Sequence, residues 1–498
     1  MKPYKQVRTS RVLSHQDGAS NSVHRSSLIV PELAGSAVEI SFLNHFLIKR
    51  DIPHAACRIT AVDTEGHKIE SRLHPLKEAR VYTIPLTGMV DRQVSSYLVD
   101  FYTPENLYVP FPAVMVNHHG PGYHNMVHSY NRILNDVFED DEVNNQQVAE
   151  SSIDVKLDWE TDTFVVFTAG FQRCQGDLQL ELDIAGELYF SSLGLDVPRF
   201  CNKEISLREV FPDAPSGAGI LKLRQPDQFM FFGRMLVGRR DASGAFSANH
   251  SYYDSSCSEE YWDDDRESTR LYPYFPEHHN TIRMYPIMSP SLLDVGVRFY
   301  DRDGVILADA HLGELESPGH SFLDASAEDL IDAKGIQRSE VATFELVCRP
   351  LSGRTPTRIV HQLVQGVDKL QSSMSVALYN PNASPSGTKQ GSTWGQAVVS
   401  GDVDSWLGIV GGTAQGDTNV EVVFYGGQGE ITRRNWNLIK NGSLMINVGQ
   451  ELEAELAELP AGGATYVWYV AKGDDANLAA FVVDQHRETG HCSGEHSF

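Results

Sequence analysis

The chain runs to 498 residues, with 41 Lys and Arg against 66 Asp and Glu and a formal net charge of −25. That length exceeds what a single core organises and points to about three to five domains. So negative a surface repels nucleic-acid phosphate and anionic lipid, and no nucleic-acid partner is expected.

Taken in chain order, the first 25 residues (MKPYKQVRTSRVLSHQDGASNSVHR) are basic and polar. They lack the apolar core of a secretory signal and read as a mobile arm. No later stretch approaches the roughly 20 apolar residues of a membrane helix, so no membrane insertion is expected. The six cysteines, Cys57, Cys174, Cys201, Cys257, Cys348 and Cys492, are sparse and form no CxxC pair. That usage fits a reducing, cytoplasmic setting.

Beyond the arm there are few amphipathic helical runs. Short β-branched and aromatic stretches occur instead, punctuated by Gly, Pro, Asn and Asp. Examples are Ala37–Phe42, Cys57–Val62, Leu178–Ile184, Val295–Tyr300 and Val420–Tyr425. Several alternate apolar with polar residues, as a strand does when one sheet face is buried. The expected fold class is mainly β: tandem antiparallel β-sandwich modules, with a pseudo-symmetric arrangement left open.

A hairpin pattern recurs. Ser96–Tyr102 precedes Ala113–His118, Phe229–Arg239 precedes Ala245–His250, Ala342–Cys348 precedes Thr357–Gln362, and Thr465–Ala471 precedes Ala480–His486. Each second strand closes on an amide, a histidine or both. Taking His118, His250, Gln362 and His486 as equivalent gives spacings of 132, 112 and 124 residues. Such spacings indicate duplication of a whole domain and not a short solenoid repeat. Before each hairpin lies an acidic, leucine-rich or short apolar turn: Ile84–Asp91, Ser206–Asp213, Ser326–Asp332 and Glu451–Leu459. Two landmarks in one order set the modules at 26–135, 150–255, 275–370 and 371–498. The acidic runs Phe138–Glu142 and Ser258–Glu267 read as solvated linkers or loop tips, and Pro381–Gly395 as a long surface loop.

The closing strand and its apolar return are similar to the sensory rhodopsin transducer family. Val482–His486 (VVDQH) matches that strand end best. Val114–His118 (VMVNH) places Asn for Gln, and Arg358–Gln362 (RIVHQ) reverses the pair but is followed by a family-like return, Leu370–Tyr379. Ser247–His250 (SANH) keeps the pair, but an acidic stretch unlike the family follows it. The resemblance covers about a fifth of each module. It implies a small β-sandwich that assembles as a tetramer, which four fused modules would imitate within one chain. It implies no activity.

Three clusters carry candidate chemistry. Asn117–His128 holds four histidines, His118, His119, His124 and His128. Neutral imidazole is a good donor to divalent transition metals near pH 7. A packed histidine-rich loop is the plainer alternative. The strand-end residues His118, His250 and His486, with His361 or Gln362 in the fourth place, would form a multi-histidine centre for zinc or iron if they converge. The tail, His486–His496, carries Cys492 and His496 at ligand spacing, against a packed or frayed chain end. No GxSxG elbow, phosphate loop, HExxH or dinucleotide fingerprint is present.

The expected function is that of a binding or scaffold protein for a small-molecule or protein ligand. The alternative is a metal-dependent enzyme using histidines from several modules, and a third reading is a self-assembling subunit, a homo-oligomer joined at sheet edges.

Overall fold

The computed structural model describes residues 24–103, 113–128, 132–134, 151–170, 172–226, 235–253, 261–262, 267–284, 292–315, 322–351, 355–356, 358–367, 369–379, 392–411, 416–457, 466–474 and 477–498. The expected arm up to residue 23, the run Phe138–Glu142, most of Ser258–Glu267 and residues 381–391 lie outside them, as does Cys257.

The fold is four antiparallel β-sandwich modules in tandem, and each repeats one strand plan. In the first module the eight strands are His24–Pro31, Ala37–Leu43, Ala55–Val62, Lys68–Leu76, Val81–Pro85, Ser96–Thr103, Met115–Gly120 and Tyr123–His128. One sheet orders them fourth, third, sixth, first, and the other fifth, second, seventh, eighth. The same two orders hold for the modules whose strands span 151–250, 268–379 and 392–496. The third therefore takes in Ser268–Pro273 and Ser372–Tyr379, outside the expected 275–370. Pro381–Gly395 is not a loop throughout, because Ser392–Val398 is a first strand.

Alternation builds these strands. Leu293–Tyr300 buries every second side chain, with Leu293, Val295, Val297 and Phe299 inward. The fourth strands are edges and carry charge, as in Lys68, Glu70 and Arg72 or Glu430, Arg433 and Arg434. Charged edges discourage strand addition from another chain. The turn landmark lies between the fifth and sixth strands, where Ser206, Ser326 and Asn447 cap short helices by accepting from the N–H of Glu209, Asp329 and Gln450.

The chain divides into two compact units, one of Met1–Pro121 with Met126–Cys257, the other of Gly122–Asn125 with Ser258–Phe498. Within each unit the two sandwiches share apolar packing. Ile29, Val62 and Leu98 join the core of the second module, and Val410, Phe481 and Val483 join that of the third. The joint recurs as well. An Asp63–Gly66 turn meets the Arg199–Asn202 turn in the first unit, and Asp301–Gly304 meets Lys440–Asn441 in the second. Asp63 and Asp301 each accept from the N–H groups two and four residues on, and Gly66 and Gly304 take positive φ to let the partner backbone approach.

Candidate functional site

All six histidines expected as ligands lie on seventh or eighth strands, which form a hairpin in every module. Their positions within it differ, and register shows how. Ser206, Ser326 and Asn447 face Phe164, Thr281 and Trp406 on the second strands. Those face Gly238, Val364 and Val483 on the seventh, which face Ala248, Ser373 and Gly494 on the eighth. Two residues further along the eighth strand stand His250, Ser375 and His496. In the first module the Pro121-Gly122 turn brings His128 to the corresponding place at the strand's end.

The equivalence of His118, His250, Gln362 and His486 is thereby corrected. His250 is on an eighth strand and the other three are on seventh strands. By the same register His118 corresponds to Arg239, Gln365 and Asp484. The second module misled because its sixth strand, Gly217–Arg224, is rich in Gly, Lys and Arg and does not read as an apolar strand. The expected first hairpin strand Phe229–Arg239 overlaps Leu236–Asp241, which is the seventh strand and not the sixth, and residues 229–234 of that stretch lie outside the described residues.

The other histidines have distinct settings. His118 is fully buried, its ring 5.5 Å from Phe246. Burial, then His119 and Arg240, push its pKa down to about 3, so it is neutral. Neither of its ring nitrogens has a hydrogen-bond partner among the described residues. His119 is half-exposed, 3.4 Å from Glu39. His361 is buried and hydrogen-bonded through Nε2 to the Tyr272 hydroxyl, and burial pushes its pKa down to about 3. His486 accepts from the Thr489 N–H in the turn before the last strand. His124 packs 5.9 Å from Tyr466, with Nδ1 3.9 Å from Asp484 Oδ2. Asp484 is buried and bonded to Ser405, and its pKa is pushed up to about 7 by burial.

His250 and His128 do come together. Their Nε2 atoms are 3.1 Å apart and their rings stand edge to face, with centroids 4.4 Å apart. His250 Nδ1–H donates to the Ser251 carbonyl at 2.9 Å, which leaves its Nε2 as the lone-pair nitrogen. Its backbone N–H donates to Asn249 Oδ1 at 2.6 Å. Both histidines are buried, on strands Tyr123–His128 and Phe246–His250. Two nitrogens bound tetrahedrally to zinc at its usual bond length stand about 3.3 Å apart, close to the spacing found here.

No family model matches this chain, and no curated protein matches it.

The architecture of the site therefore has to speak for itself. An imidazole tied through Nδ1 to a backbone carbonyl and presenting Nε2 is the usual build of a metal ligand, because the outer bond fixes tautomer and ring orientation. The pairing of His128 with His250 is not among the sets expected from the strand ends. A signal was present in the tripeptides Val127-His128-Ser129, Asn249-His250-Ser251 and Glu495-His496-Ser497. Ser129 itself lies outside the described residues. The tail is packed, not frayed: Cys492–His496 is the eighth strand of the fourth module, and Phe498 stacks on Trp468. Among the described residues no helix is long and apolar enough to cross a membrane.

Proposed function

We propose that this chain is a metal-binding protein, in which β-sandwich modules act as a rigid scaffold and His128 and His250 hold a divalent transition metal, zinc or iron. The observation that carries this reading is the 3.1 Å approach of the two Nε2 atoms, with His250 Nδ1 committed to the Ser251 carbonyl. The net charge of −25 favours accumulation of cations over anionic ligands. Imidazoles carried on strands meet the need for ligands held within a few tenths of an ångström. The likeness of the module to the sensory rhodopsin transducer family and a cytoplasmic location belong to the same reading.

Elemental analysis of the purified protein tests it. Zinc or iron is expected in near-stoichiometric amount. His128→Ala and His250→Ala are each expected to weaken binding by tenfold or more, since even outer contacts to ligands contribute 10- to 100-fold. Folded protein that carries no metal, and takes up neither zinc nor iron on titration, would end the proposal.

A further inference from the structure

The fourth module repeats the construction seen at His250. His496 Nδ1–H donates to the Ser497 carbonyl at 2.8 Å, as His250 Nδ1–H does to Ser251 at 2.9 Å. The His496 N–H donates to Glu495 Oε1 at 3.0 Å, as the His250 N–H does to Asn249 Oδ1. The strand pairings put both imidazoles at one register position. Such agreement across two modules is not a demand of the sandwich. The third module builds the same position with a buried Ser375, which accepts from Gln362 Nε2.

One change sets the fourth module apart. Where the second has Asn249, it has Glu495, whose Oε1 is 3.8 Å from His496 Nε2. Glu495 is 1% exposed. A divalent cation is favoured beside a carboxylate held at that depth, where the low dielectric strengthens the attraction. A carboxylate oxygen and a tautomer-fixed imidazole nitrogen are donors that zinc and iron both take, and their 3.8 Å separation is about half an ångström wider than a tetrahedral zinc pair, a gap that a small side-chain movement closes.

We infer that Glu495 and His496 are metal ligands, a carboxylate–imidazole pair that extends the metal-binding role to the fourth module. This rests on the reading of His128 and His250. The test uses the full chain, stripped by chelator and reloaded with zinc alone, with metal-to-protein ratio and zinc affinity measured for His250→Ala, His496→Ala and Glu495→Gln. Glu495→Gln keeps an acceptor for the His496 N–H, so it spares the fold while removing the charge. The His496 and Glu495 variants are each expected to weaken zinc at the affected ligands by tenfold or more, and cobalt in place of zinc should lose visible absorption in step. Loss in His250→Ala with wild-type binding and cobalt spectrum in the other two would overturn the inference and leave the first reading standing. Wild-type binding in all three would overturn both. If His496→Ala fails to fold, Glu495→Gln alone decides.

Discussion

Below pH 6.5 an exposed histidine takes up a proton, whereas His118, fully buried, holds out to about pH 3. Between those values the unfolded chain binds a proton that the folded chain does not, so stability falls as pH falls. Each pH unit costs about 1.4 kcal/mol, or about 2 kcal/mol by pH 5. Arg240 and His119 oppose the charge further. His361 adds the same dependence to the second unit, while Asp484 opposes it. The folded pKa of Asp484 is raised, so its contribution is present at low pH and lost as pH climbs through about 7. For His118→Leu, chemical denaturation of the first unit is expected to show a stability gain over wild type that grows by about 2 kcal/mol from pH 7 to pH 5. An equal difference at both values would contradict this account. Among the described residues the five cysteines are buried, and burial raises Cys57 and Cys348 away from the reactive thiolate.

At the scale of elements, the hairpin of seventh and eighth strands decides where the imidazoles stand, and its packing is tight. A Cβ at Gly238 would lie 2.5 Å from Ala248 Cβ, 2.7 Å from the Ser247 carbonyl oxygen and 2.9 Å from Phe164. Two of those neighbours belong to the strand that carries His250. Gly238→Ala is expected to cost about 1–3 kcal/mol, as other overpacked sites do. Gly194, in a fourth strand of the same module, has nothing within 4 Å of such a Cβ. Gly194→Ala should stay within about 0.5 kcal/mol of wild type. Urea unfolding of the two variants checks the pair, and similar midpoints would refute the packing argument. The element types themselves were legible in sequence. Leu293–Tyr300 alternates because one face is buried, and the turns at 206–213 and 326–332 carry the Ser caps that start their helices. Gly217–Arg224 is hard to read as a strand because Gly217, Gly219, Lys222 and Arg224 interrupt its apolar residues, although Ile220, Leu221 and Leu223 are buried and the segment pairs with Cys174–Ile184 and Ser151–Leu157.

The whole molecule is a duplication within a duplication. Asp63–Gly66 and Asp301–Gly304 serve the first module of each unit, whereas the second module turns tightly through Ala185 and Gly186, both at positive φ. Two separately packed units predict more than one unfolding transition in calorimetry. One transition, with calorimetric and van't Hoff enthalpies equal, would contradict that. From the amino-acid order alone came the mainly β class, the fourfold repetition and a shortlist of histidines, because alternation, turn residues and tandem landmarks are local properties that the chain writes out directly. Which histidines are equivalent followed only from strand register, and that His250 meets His128 only from the packing of one module's side chains on another's. A register sums hydrogen bonds between segments well separated in the chain, as where Thr281 faces Val364 and Trp406 faces Val483, and a slip of one strand moves a side chain to another place without changing any local pattern.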